Sequence, residues 1–572
     1  MPTLRVAGLG QLEAQEGETL LEALRRQGVV VQAGCGGLGL CGMCRVRVLE
    51  GLLSPPTRRE LELLPAHLLE GGWRLACQAR VLGDVELEVP QPKRALAKAR
   101  VRRALAVTPP ALFVPLSVGE GEPSYEEEAL SKLRGLGVRV SRASRSALNA
   151  LAERGSGVAV VVDGEVVDVA ETFAGFGMAV DVGTTSVAAS LVDLTSGAVV
   201  AEAVDLNLQL QYGADIISRI GYAIKEPEGL AKLQRAAVET VNALIARLGA
   251  PPGRIYRVVV AGNSVMLHLL FGVSPRTLGF LPFRPVYRRG LRARGRELGL
   301  AVHPDAIVES LPILGGYVGG DVVGDILASG LLEYERAMLI DVGTNGEIVL
   351  KWGDACVAAS APAGPAFEGV GLRSGMMAVA GAIERVKLGG DGSVEFSVIG
   401  GSEPRGICGS GYIDLLAELV RAGILSRDGR LLDGPRVRDL GGVRAFVLDE
   451  ERGVALTQQD VRKLQLAVAA VKFAAKHLLR ALGAEPSRLE RVIVAGDFGY
   501  HIDALNAMEI GPLPPVEPQL VEYIGNGSLT GAEMFMLSEE ARRAAEELPT
   551  RCRVLDVPRE ERAFVAELRL SW

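Results

Sequence analysis

The residues Gly177-Met178-Ala179-Val180-Asp181-Val182-Gly183-Thr184-Thr185-Ser186 decide how this chain is read, because they return as Ala337-Met338-Leu339-Ile340-Asp341-Val342-Gly343-Thr344-Asn345-Gly346-Glu347. Each copy is an apolar strand that ends on an aspartate and turns through glycine into polar side chains. The glycine permits a tight turn. The N–H and hydroxyl groups beyond it can donate to phosphate oxygens, and the aspartate can face the metal that neutralises them. Two such hairpins facing one another would clamp a triphosphate. The candidate contacts are Asp181, Gly183, Thr184 and Thr185 in one copy and Asp341, Gly343, Thr344 and Asn345 in the other.

Working outward, each copy is followed by an apolar strand that runs into a glycine turn: Arg257-Val258-Val259-Val260-Ala261-Gly262-Asn263-Ser264 after the first, Arg491-Val492-Ile493-Val494-Ala495-Gly496-Asp497-Phe498-Gly499 after the second. A turn such as Gly496, Asp497, Phe498 and Gly499 would let an adenosine lie against bare backbone. Gly406-Ile407-Cys408-Gly409-Ser410-Gly411 opens a helix, whose N-terminal dipole suits anions, so Gly409, Ser410 and Gly411 are further phosphate candidates; an ordinary glycine-rich helix entry is the competing reading. This layout resembles the superfamily of acetate and sugar kinases, heat-shock 70 chaperones and actin, over roughly residues 176 to 572. The resemblance implies a duplicated actin-like (ribonuclease H-like) ATPase at 175–572, with subdomains at about 175–335 and 336–572. It also implies ATP and Mg2+, with Asp181 and Asp341 as the catalytic carboxylates that organise the metal.

The first 90 residues carry an independent signal. Cys35, Cys41 and Cys44 follow C-x5-C-x2-C spacing inside Gly34-Cys35-Gly36-Gly37-Leu38-Gly39-Leu40-Cys41-Gly42-Met43-Cys44, and Cys77 stands in Trp73-Arg74-Leu75-Ala76-Cys77-Gln78-Ala79. A 2Fe-2S cluster needs four converging thiolates, three of them here from one tightly wrapped loop; glycines relieve the crowding and leave N–H groups facing the sulfurs. Zinc is the competing occupant, but it favours paired CxxC knuckles and only Cys41 and Cys44 form one. The flanks predict a hairpin over 4–13, a helix over 19–27 capped by Thr19, and strands over 45–50 and 85–89. Together these features resemble the plant-type and adrenodoxin-like ferredoxins of β-grasp fold over residues 1–90, the first gap being nearer the adrenodoxin-like members.

Between these modules, 91–110 reads as a linker whose stretch 93–103 (KRALAKARVRR) holds six positive charges in eleven residues. A solvated face explains it; a docking surface for an acidic partner is the sharper alternative. Residues 111–174 suggest a small α/β domain, with strand- or helix-like runs at 112–116, 125–136, 138–140, 144–154 and 158–169. The segment 315–330, GGYVGGDVVGDILASG, suits a helix packed closely through its glycines, from which Asp321 or Asp325 could reach the cleft. Glu368 is placed in a cleft-lining loop. His268 and His477 fit core positions, and Cys356, Cys408 and Cys552 read as scattered buried thiols.

With 572 residues the chain is too long for one core, and its 48% hydrophobic and 23% charged residues describe an ordinary globular composition. A net charge of -7 argues against nucleic acid as the partner. No signal-like or membrane-spanning run stands out, which favours the cytoplasm. The full order, ferredoxin, linker, small α/β domain and duplicated ATPase, resembles the ATP-dependent reductive activators of corrinoid proteins along the whole chain. That resemblance implies transfer of one electron from the 2Fe-2S cluster to inactive cobalt(II), restoring cobalt(I). It also implies a corrinoid protein and a low-potential electron donor as partners, with a homodimer left open. Some such activators carry cubane clusters in a cysteine-rich C-terminal domain, whereas only Cys552 lies near this end. A kinase or hydantoinase-like enzyme with a regulatory cluster, and a nucleotide-sensing electron-transfer ferredoxin, are the alternatives.

Overall fold

The computed structural model describes residues 2–7, 9–27, 29, 31, 37, 39, 42, 44–64, 66–89, 107–119, 123–343, 345–496, 502–558 and 561–572. Cys35, Cys41, the basic stretch 93–103, Thr344, Asp497, Phe498 and Gly499 lie outside the described residues.

At the N-terminus β1 (Thr3–Val6) and β2 (Gly10–Glu13) form the expected hairpin. Thr19 caps the helix Leu20–Arg26 by accepting from the Glu22 N–H, and its own backbone N–H donates to the Glu22 carboxylate, so two orphan groups are satisfied reciprocally. With β3 (Arg45–Leu53), β4 (Trp73–Leu75) and β5 (Val81–Glu88) the sheet runs β2-β1-β5-β3-β4, with β1 and β5 parallel. Glu60 is fully buried beneath this sheet. Burial works against its charge, but a bidentate contact with Arg74 at 2.8 and 3.0 Å and the Leu75 N–H hold its carboxyl below the usual range. That pair pins β4 just ahead of Cys77.

A four-stranded sheet follows in the order β6-β8-β9-β7, made of β6 (Leu112–Ser117), β7 (Arg142–Ala143), β8 (Ser156–Val162) and β9 (Glu165–Ala170), with helices Tyr125–Gly135 and Arg145–Arg154. Two segments depart from the expected pattern. Residues 138–140 are no strand, because the Val138 N–H is spent on the Leu133 carbonyl at the end of the preceding helix. The run 158–169 is two strands rather than one, since Asp163 and Gly164 take φ of 49° and 76° and reverse the chain. Buried Arg257 bonds to Asp163 of this sheet and to Glu309 of the next, and Tyr256 donates to Asp168, so the two sheets are joined by charge-assisted bonds.

The remainder is one design built twice. In the first sheet, β10 (Phe176–Val182), β11 (Ser186–Asp193), β12 (Val199–Leu206), β13 (Ile255–Gly262), β14 (Arg292–Arg294) and β15 (Ile307–Ser310) lie in the order β12-β11-β10-β13-β15-β14. In the second, β16 (Arg336–Val342), β17 (Gly346–Trp352) and β18 (Ala355–Ala361) stand beside strands Arg491–Ala495 and Val521–Gly525, which repeats the central order. The register repeats too: Asp181 pairs with Ala261 and Asp341 with Ala495 on the parallel neighbour. Between the sheets lie helices Gly320–Ser329 and Gly527–Leu537, in a core with Ala179, Val259, Leu339 and Ile493. They cross closely, because a Cβ on Gly324 would stand 2.7 Å from the Ser528 carbonyl and one on Gly531 2.2 Å from that of Gly324. The predicted glycine-mediated packing is therefore present. No helix among the described residues is long and apolar enough to cross a membrane.

Candidate functional site

Both hairpins end at one cleft of about 270 Å³, lined by Asp181, Gly183, Thr184, Thr185, Asp341, Gly343, Asn345, Gly409 and Gly496. The register explains the convergence, since each aspartate is the penultimate residue of its strand and β10 and β16 show the same alternation of buried and part-buried positions. Gly496 has φ 85°, and a Cβ there would meet an Asp341 carboxylate oxygen at 2.5 Å, so the turn admits only glycine. Ser410 and Gly411 do not line the cleft. Ser410 is buried with its hydroxyl 3.4 Å from the Cys408 sulfur, and Gly411 backs onto the Ile383 carbonyl.

The two aspartates meet different surroundings. Asp181 accepts hydrogen bonds from Asn526 Nδ2 and Ser528 Oγ, both at 2.9 Å, and its cross-strand partner is Ala188. Asp341 is paired across its hairpin with buried Glu347, and Asp321 and Asp325 line the same wall. Burial, and then the charge of Asp341, push the Asp321 carboxyl up to about 8. Asp325 is raised by burial and by Asp341, Asp321 and Asp181; Glu347 by burial and by Asp321 and Asp341. One Asp325 oxygen is buried without a hydrogen-bond partner. Such a concentration of hard oxygen donors suits a divalent cation that neutralises it. Among the described residues no three carboxylates close on a single point. Mg2+ fits that arrangement, because it retains waters and takes substrate phosphates as ligands.

Other contacts brace the hairpins. Thr185 donates to Glu368 at 2.9 Å, a bond that joins the two halves across the cleft mouth. Arg219, fully buried, donates to the Thr184 carbonyl and to Gln209, while burial pulls its guanidinium down to about 9. Asn263 caps the helix Ser264–Leu270 and reaches the Thr184 hydroxyl at 3.3 Å. Arg219, Asn526, Ser528 and the role of Glu347 escaped the reading of the sequence. Only Gly525-Asn526-Gly527-Ser528 carried a signal, as a third strand ending in a glycine turn.

In the N-terminal module the Cys44 and Cys77 sulfurs lie 3.2 Å apart, both buried. Two thiolates on one tetrahedral metal, with bonds of about 2.3 Å, stand roughly 3.7 Å apart, so this pair fits one iron of a cluster. Elsewhere the thiols are less scattered than expected. Parallel pairing of β18 with strand Cys552–Val554 sets Cys356 directly beside Cys552, with sulfurs 2.7 Å apart; Cys408 is buried away from them. His268 is a core residue, its ring nitrogens engaged by Ser264 and Val286, whereas His477 is only half-buried.

Comparison with known proteins finds matches over three stretches of the chain. Residues 5–82 match the 2Fe-2S iron-sulfur cluster binding domain, 176–334 the RACo middle region, and 335–570 the C-terminal domain of RACo, described as the ASKHA domain. The corrinoid activation enzyme RamQ of Eubacterium limosum is 37% identical over 65% of this chain and 66% of its own length. A Co(II) methylated amine-specific corrinoid protein reductase of Methanosarcina barkeri is 26% identical over 64% of this chain and 70% of its own. A solved structure described as a reductive activator for corrinoid, iron-sulfur protein superimposes with a TM-score of 0.73. It shares 31% identity and covers 99% of this chain and 97% of that one.

Proposed function

Because the chain belongs to the family of reductive activators of corrinoid proteins, we propose that it uses ATP to move one electron onto the cobalt(II) of an inactive corrinoid protein, restoring cobalt(I). The observation that carries this reading is the union, in one chain, of a ferredoxin module and a duplicated cleft rich in carboxylates. A bound 2Fe-2S cluster supplies a single low-potential electron, and Cys35, Cys41, Cys44 and Cys77 are assigned as its ligands. ATP is needed only where the cobalt couple lies below that of the cluster. A gap of roughly 100 mV for one electron amounts to about 2.3 kcal/mol, which nucleotide binding or hydrolysis can offset.

The residues divide the work. Asp181, fixed by Asn526 and Ser528, is an oriented acceptor that would orient a water beside the phosphates. Asp341, with Asp321 and Glu347 beside it, would hold Mg2+, whose charge would offset the repulsion that raises these carboxyls. Gly183, Thr184, Gly343 and Asn345 face the phosphates from the two turns, and the sequence assigns Thr344 to the same role. Gly496 is positioned to border the adenosine, a contact to which the sequence also assigns Asp497, Phe498 and Gly499. Closure of the halves over nucleotide, across which the Thr185 to Glu368 bond already reaches, favours the complex with the partner. A low-potential donor reloads the ferredoxin module, and the reaction belongs in the cytoplasm.

The test is anaerobic. Reduced protein is mixed with a cobalt(II) corrinoid protein, ATP and Mg2+ are added, and the visible spectrum is followed. Appearance of cobalt(I) only with ATP is expected; equal reduction with and without ATP removes the coupling and with it this function.

A further inference from the structure

Residues 271–296 contain seven arginines and no aspartate or glutamate, in a chain whose net charge is -7. Four of the seven are engaged. Arg292, Arg294 and Arg296 pair with Asp163, Glu165 and Asp305, and Arg288 donates to the Pro549 carbonyl. Arg276, Arg284 and Arg289 have no ion-pair partner among the described residues. Between them stand Phe280, Leu281 and Val286, which are 58%, 69% and 57% exposed. Ile217 is 58% exposed one turn before Ile220, against which Gly279 packs, and it extends the apolar surface.

This surface is held firmly from beneath. Leu278 is fully buried and its carbonyl accepts from Tyr317 Oη at 2.5 Å. The Phe283 ring packs on Tyr317 at 5.4 Å, the Val286 N–H donates to His268, and Tyr287 stacks on the same imidazole at 4.6 Å. Large apolar side chains kept in water on an anchored loop need no ordering when a partner arrives, which is how a recognition surface gains affinity. The unpaired guanidiniums specify the partner's sign.

The anchor also leads to the cleft. Two residues beyond Tyr317, Gly319 lies so close to Asn263 that a Cβ would stand 2.5 Å from its Cα, and Asn263 reaches Thr184 of the first hairpin. Two residues further on, Asp321 lines the nucleotide wall.

We propose that the loop 276–289 is the docking surface for the acceptor protein, which meets it with carboxylates set around an apolar depression. The assignment rests on the functional reading above, in which that acceptor is the corrinoid protein. Its short path to Asp321 makes docking sensitive to the nucleotide.

The test uses the full, cluster-loaded chain and the cobalt(II) corrinoid protein of the reduction assay, with affinity measured by calorimetry at two salt concentrations. Leu281→Asp and the double variant Arg284→Glu/Arg289→Glu are each expected to weaken binding at least tenfold, with ATP turnover in the absence of the partner and iron content unchanged. The double variant is also expected to lose most of the salt dependence seen with the wild type. Wild-type affinity in both variants overturns the docking surface while leaving the function standing. So does wild-type self-association that both variants abolish, since the loop then serves a second copy of this chain. A wild-type protein that reduces no corrinoid protein overturns the functional reading itself.

Discussion

At the end of β10, Asp181 faces Ala188 across its hairpin and is held by two hydrogen-bond donors; at the end of β16, Asp341 faces Glu347 and stands with Asp321 and Asp325. The backbones are equivalent in sheet order, register and burial, yet one hairpin carries a single satisfied carboxylate and the other a group that raises its own members' affinity for protons. Duplication thus repeats the scaffold but not its surroundings: a carboxylate held by two donors on one side, a group of mutually repelling carboxyls on the other.

Replacing one side and then the other is the most direct way to break that contrast. Asp341→Asn should lower ATP-dependent cobalt reduction by about 10²–10³-fold, the range for removal of one preorganised electrostatic contact, with iron content unchanged. Asp181→Asn should cost about tenfold, since hydrogen bonds to charged groups contribute about 1.5–3 kcal/mol and Asn keeps one acceptor. Equal losses in the two variants would mean that the hairpins are functionally alike. Gly324→Ala and Gly531→Ala probe the symmetric part. Each should reduce stability by about 1–3 kcal/mol, because the added methyl meets the facing helix, and denaturant titration should find the two costs similar.

The acid group sharpens the comparison through pH. Asp321 holds its proton to about 8 in the folded chain and to about 4 when unfolded. The folded state therefore binds more protons in that window, and stability falls as pH rises through it. Without Mg2+ the melting temperature should drop between pH 5 and pH 8, and Asp321→Asn should flatten the slope. Mg2+ should raise the melting temperature more at pH 8 than at pH 5. The smallest effect expected is that of Thr185→Val, which removes one hydrogen bond worth about 1 kcal/mol and should change ATP turnover about fivefold or less.

Much of this architecture was legible in advance. Alternating apolar runs that end on Asp-x-Gly, and a capped helix such as Thr19 to Arg26, are local patterns whose conformation follows from the residues themselves. The turn at Asp163 and Gly164 was missed because the apolar pattern continues on both sides of it. Ser410 and Gly411 read as phosphate contacts in the sequence because a helix start looks alike whether it opens on a cleft or against a neighbouring strand.

The sequence alone determined the cysteine spacing, the two hairpins and their order along the chain, since each is written within a dozen consecutive residues or repeats visibly. Only the tertiary structure decided that Asn526 and Ser528 hold Asp181, that Cys356 lies beside Cys552, and that the arginine loop sits a few residues from the nucleotide wall. Those contacts join residues far apart in the chain. They depend on which strands become neighbours and in what register, which no local pattern encodes.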